Sequence, residues 1–137
     1  MKLKINTDGG SRGNPGPAAA GIVIFDTSTQ ALVHQFGQTI GRATNNIAEY
    51  QAVVLALEWL IKSDLKPDTI NFFLDSALVV NQMNGLWRVK DAALRQKIIL
   101  IRSLEASLHC PIQYTAIPRE QNTSADALVN QALDNKL

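Results

Sequence analysis

Between Ile47 and Ile61 the apolar residues Ile47, Tyr50, Val54, Leu57 and Ile61 recur at spacings of three and four, and a little further on Ile70 to Leu74 is a near-continuous apolar run. The first pattern predicts a helix with one apolar stripe, and the second a strand buried on both faces. Pro67-Asp68 turns the chain between them. A strand that returns to its sheet through a helix pairs in parallel, so Ile70 to Leu74 is expected beside the first strand of the chain.

Three strand-like segments precede the helix. Leu3, Ile5 and Thr7 alternate with polar neighbours until Asp8-Gly9 breaks the pattern, which ends the first strand at Asp8. Ala20 to Phe25 and Leu32 to Ile40 follow, separated by Asp26-Thr27-Ser28, and an antiparallel meander is expected. Asn46 is a plausible N-cap for the helix. Beyond the fourth strand, Ser76 to Met83 reads as a short helix, Asn84-Gly85 as a break and Ala92 to Leu108 as a longer helix capped by Asp91. Pro111 opens a last strand, Ile112 to Ile117, and Ser124 to Leu133 a last helix. The order βββαβααβα predicts one α/β domain over residues 1–137, a five-stranded mixed sheet with helices on both faces.

Composition limits the function classes. With 137 residues, 46% of them hydrophobic, the chain can bury a real core; with a formal net charge of +1, any attraction to nucleic acid must come from local clustering. No apolar run reaches the roughly 18 residues of a membrane span, and the strand pattern begins without a signal segment. Cys110 is the only cysteine, which removes an internal disulfide and argues against a zinc site; a buried, inert thiol in a reducing, cytoplasmic compartment is expected.

Four acids fall where strands end and helices begin: Asp8, Glu49, Asp75 and Asp126. Each has a structural alternative. Asp8 precedes two glycines and can support a turn; Asp75, or Ser76 after it, can cap a helix. Glu49 stands three residues after Asn46, which is capping-box spacing, and Asp126 in a first helical turn complements the helix dipole. If the first and fourth strands are parallel neighbours, however, Asp8 and Asp75 lie side by side at their carboxyl ends, the usual position for a site in an open α/β sheet. Adjacent carboxylates repel unless a cation joins them, and an oxygen-only donor set selects a hard ion such as Mg²⁺, with Mn²⁺ as substitute. Two such ions about 4 Å apart can clamp an in-line phosphoryl displacement.

With Asp8-Gly9-Gly10, Thr44 to Tyr50, Asp75-Ser76 and Ala125-Asp126 aligned, the chain resembles type 1 ribonuclease H from Lys4 to about Asp134. The resemblance implies a ribonuclease H-like fold and endonucleolytic cleavage of the RNA strand of an RNA/DNA hybrid, leaving a 5′-phosphate and a 3′-hydroxyl. It maps the four metal-holding acids onto Asp8, Glu49, Asp75 and Asp126, with Asp8 bridging two ions, Glu49 and Asp75 serving the ion at the leaving oxygen, and Asp126 the ion that activates water. It implies that the glycine-rich loop and the Asn pair meet the minor groove, with Ser11, Asn14, Asn45 and Asn46 reading the 2′-hydroxyl. It also makes Arg42 with Thr44 a pocket for a DNA-strand phosphate. The loop itself lacks the Lys-Ser/Thr end of a P-loop and the spacing of a dinucleotide fold.

The chain departs from the family pattern twice. Only Gly85 to Lys90 occupies the interval where many members carry a long basic protrusion, so Trp87, Arg88 and Lys90 are left as candidate DNA-strand contacts, with a core-packed Trp87 as the alternative. Where many members carry a mobile-loop His, this chain has Pro118 to Asn122, so Arg119 or Glu120 is the candidate to assist; His34 and His109 fall in the wrong places. A resolvase or integrase core and a non-catalytic hybrid-binding module are the competing readings. No obligate partner is evident in the sequence, and a monomer is expected.

Overall fold

A computed structural model describes residues 1–137. The strands are β1 (Lys2–Ser11), β2 (Gly16–Asp26), β3 (Ala31–Ala43), β4 (Thr69–Leu74) and β5 (Ile112–Ala116). The helices are α1 (Asn45–Ser63), α2 (Ala77–Met83), α3 (Ala92–Ala106) and α4 (Thr123–Leu133), and a single 3-10 turn covers Arg119–Gln121. The sheet order is β3-β2-β1-β4-β5, antiparallel across β3-β2-β1 and parallel across β1-β4-β5. The expected element order and parallel crossover are therefore present. No helix is long and apolar enough to cross a membrane.

The two faces of the sheet are built differently. Leu3, Ile5, Ile22, Ile24, Ile70, Phe72 and Leu74 point to the α1 side and join Tyr50, Val54, Leu57 and Leu60 in a core of 21 buried residues. On the other side α4 packs over β1, β2 and β3 through two clusters of three buried residues each, Ala19 with Val129 and Ala132, and Val23 with Ala125 and Leu128. Its backbone lies against the sheet, since a Cβ on Gly21 would stand 2.2 Å from the Ala125 carbonyl oxygen. A side chain there would lift the helix away.

Three local expectations are corrected. β1 does not end at Asp8 but continues to Ser11, because β2 goes on pairing with it through Gly9, Gly10 and Ser11 after β4 has stopped at Asn6. β4 is buried on one face only, since α4 does not reach it; Phe73 is half-buried, with the Lys4 ammonium 5.2 Å from its ring centroid. The N-cap of α1 is Thr44, whose Oγ1 accepts from the Ile47 amide at 3.2 Å, so Asn46 lies in the first turn and Glu49 is outside any capping box. Ser76 and Asp91 do cap α2 and α3, accepting from Val79 and Leu94.

Candidate active site

Parallel pairing sets the positions of the first two acids. Asn6 and Phe73 form the last pair between β1 and β4, and Asp8 and Asp75 each follow two residues on, at matching height and on the α4 face. Glu49 comes from the second turn of α1. It reaches the same place because α1 presses on β1 at Gly9, where a Cβ would stand 2.2 Å from the Ala48 carbonyl carbon; only glycine permits this contact. Oxygens of Asp8, Glu49 and Asp75 all lie within 4.8 Å of one another. Asp126, on the first turn of α4, lines the same cleft of about 310 Å³ as Asp8 and Glu49.

So many carboxylates in a half-dry place oppose their own ionisation. Burial, then the charges of Asp75 and Asp126, push Asp8 up to about 7. Burial, then Asp8 and Asp75, push Glu49 up to about 9. Asp75 is raised chiefly by burial; the Arg119 guanidinium, whose Nε is 4.0 Å from its Oδ2, and the Asn122 amide nearby pull the other way. The Oε2 of Glu49 is buried with no hydrogen-bond partner. An orphaned carboxylate oxygen facing two other carboxylates suits a hard divalent cation, and no Cys or His is near to favour a softer one.

The rim of the cleft is held by a chain of amides. The Ser11 amide donates to Asn45 Oδ1 at 2.9 Å, and the Asn45 amide donates to Asn14 Oδ1 at 3.0 Å. A backbone N–H can only donate, so both side-chain oxygens are committed and both exposed NH₂ groups are left as donors. The Ser11 hydroxyl is spent on the Gly13 carbonyl. Arg12 joins the glycine loop to Asp134 just past α4, at 2.5 Å.

The other sequence candidates are spread more widely. Asn46 and Arg42 are exposed, and Arg42 makes no ion pair; Thr44 is half-buried as the cap of α1. Trp87 is half-exposed at 50%, which removes the core-packed alternative, and Arg88 and Lys90 are exposed beside it, outside the cleft lining. Arg119 lines the cleft with its side chain 86% exposed, whereas Glu120 is exposed and outside the cleft lining. Sequence reasoning missed Asn6, Asn122 and Asn130. Asn122 follows Gln121 in a polar loop and carries no signal that its side chain is buried; Asn130, four residues after Asp126, had helical spacing as its only clue.

An α/β sheet in this strand order, with acids at the carboxyl ends of its inner parallel strands, defines the ribonuclease H-like class. The chain belongs to the reverse transcriptase-like family, whose profile matches residues 6–132. It is 42% identical over 134 residues to the bifunctional protein Rv2228c of Mycobacterium tuberculosis, covering 98% of this chain but 36% of that protein. It thus spans about a third of the length of that curated relative. The crystal structure of RNase H1 from Halobacterium salinarum superposes with a TM-score of 0.91 at 42% identity, covering 98% of this chain and 99% of that one. A crystal structure of LC11-RNase H1 in complex with an RNA/DNA hybrid matches with a TM-score of 0.91 at 40% identity, over 97% of each chain.

Proposed function

We propose that this chain, as one domain over residues 1–137, is a metal-dependent endonuclease that hydrolyses the RNA strand of RNA/DNA hybrids to 5′-phosphate and 3′-hydroxyl ends. The observation that carries this reading is the convergence of Asp8, Glu49 and Asp75 oxygens within 4.8 Å at the foot of a cleft rimmed by amide donors. These three would hold Mg²⁺, or Mn²⁺ in its place, together with Asp126. Bound divalent ions supply Lewis-acid stabilisation of the phosphate charge and lower the pKa of a water. The protein's part is to keep the carboxylates fixed and partly dry, and to present the phosphodiester to them. Arg119 has the reach and exposure to attend the scissile phosphate or a departing product. Cys110, expected to be buried, is only half-buried; as a free thiol it suits a reducing compartment such as the cytoplasm, and a monomer is proposed.

The rim supports the substrate assignment. Asn14 and Asn45 are oriented with their NH₂ donors free, and the minor groove offers acceptors at each base pair together with the 2′-hydroxyl of RNA. Donors facing acceptors common to all pairs give cleavage that is indifferent to base sequence but sensitive to the sugar. We expect efficient cutting of the RNA strand of a labelled hybrid, and at least roughly tenfold slower cutting when 2′-deoxy sugars flank the scissile phosphate. Equal cleavage of an all-DNA duplex would falsify the substrate assignment and favour a resolvase-like nuclease.

Trp87, Arg88 and Lys90 are proposed to meet the DNA strand, with Arg42 and Thr44 holding a phosphate further along. Replacing Arg88 and Lys90 together by Ala should raise KM severalfold with little change in kcat, because contacts away from the acids hold ground and transition states alike. The salt dependence of hybrid binding should also lose about two units of slope. If neither KM nor the slope moves, the α2–α3 loop is not a binding surface.

A further inference from the structure

Asn122 stands at the N-cap of α4 and breaks the rule for that position. An Asn there normally accepts a hydrogen bond from an amide of its own first turn, yet Asn122 makes no side-chain capping bond. It is 1% exposed, and its amide is used across the molecule. Nδ2 donates at 2.9 Å to the carbonyl of Thr7, the residue immediately before Asp8, and Oδ1 accepts at 3.0 Å from Nδ2 of Asn6. The orientation is unambiguous, because a carbonyl oxygen can only accept. The Asn122 backbone carbonyl in turn accepts from the amide of Asp126 at 3.1 Å. Local rules are broken at functional positions more readily than elsewhere, and here a capping bond has been exchanged for a bridge 115 residues long in sequence.

We propose that Asn122 is a positioning residue, a bridge that fixes the separation between the strand carrying Asp8 and the helix carrying Asp126. The consequence is that Asp126 is tied to the Asp8 strand itself, whereas the apolar clusters and the close backbone seats at Gly21 and Gly37 hold α4 mainly against β2 and β3. Asn6 completes the bridge from the strand side, on the same face as Asp8. The proposal rests on the nuclease reading above for its kinetic consequence, but its structural core is testable by metal binding alone.

The discriminating variant is Asn122→Ser, because serine restores an ordinary cap to α4 while being too short to span to Thr7. Melting temperature should stay within a few degrees of the native value, while kcat falls at least roughly tenfold with KM changed less than twofold. Calorimetric titration with Mn²⁺ should show affinity weakened at least roughly fivefold. Native affinity and native kcat in this variant would overturn the proposal. So would a variant whose activity loss only follows its loss of folded protein. Should Asn122→Ser fail to fold, Asn6→Ala decides: weaker Mn²⁺ binding in a folded protein supports the bridge, and native binding overturns it. If the wild type binds Mn²⁺ but cuts no hybrid, the nuclease reading falls while the bridge is still judged by the titrations.

Discussion

Asp8→Asn is expected to reduce hybrid cleavage by on the order of 10³-fold or more while leaving the metal-free protein folded and more heat-stable at pH 8. Asp8 is the acid at the centre of the site: its oxygens lie close to those of Glu49 and Asp75, and the charge of Asp126 also bears on it. Removing it takes away several kcal/mol of charge stabilisation that a bound ion provides, and 4 kcal/mol corresponds to about three decades in rate. The same substitution removes one member of a group of mutually repelling charges. Single-turnover cleavage and thermal scans in chelator, run side by side, test both halves. Turnover within tenfold of the native enzyme would remove Asp8 from the mechanism, and a large loss of melting temperature would assign it to structure.

The second large effect concerns pH. In chelator, stability should fall as pH rises from about 5 to about 9. The sign follows from linkage: an acid whose folded pKa is raised releases its proton more readily from the unfolded chain, so its favourable contribution is complete below the ordinary carboxylate range and is lost as pH climbs through the folded value. Asp8 at about 7 and Glu49 at about 9 define the window. Asp68 and Asp134 have lowered values and act in the opposite sense, but below this range. The N-terminal amine, raised by Asp68, acts in the same sense near the top of the window and is controlled by comparing variants. A loss of roughly 2–4 kcal/mol, or about 5–15 °C in melting temperature, is expected across the window. Millimolar Mg²⁺ should recover most of it, and Glu49→Gln should flatten the upper part. A flat profile in chelator, unchanged by metal, would contradict the crowded-acid description of the site.

Much of this could be read from the sequence because it depends on periodicity and local order. The stripe from Ile47 to Ile61 requires a helix, the return to Ile70 requires a parallel crossover, and together they place Asp8 beside Asp75. The misreadings have nonlocal causes. β1 extends to Ser11 because β2 pairs with it there, and no residue in β1 announces that. Asn46 and Thr44 are both good caps in isolation; the Asn14 side chain holding the Asn45 amide is part of what fixes where α1 begins. Phe73 looked buried because apolar runs usually are, and its exposure is decided by how far α4 extends across the sheet. Asn122 was invisible for the same reason. A polar residue in a polar loop gives no sign that it will be enclosed by a strand more than a hundred residues earlier.

The unequal division of the apolar core also has a consequence for how the molecule opens. Twenty-one residues bind α1, α2 and α3 to one face, whereas α4 is held by two clusters of three and close backbone seats on Gly21 and Gly37. Clusters separated in this way can open separately, so α4 is able to lift as a unit while the main core stays closed. Asp126 therefore rides on the helix that lies outside the main core. If Asp126 helps to hold a divalent ion with Asp8, as proposed, loading the site would also hold that helix down on β1, and metal would slow its local opening.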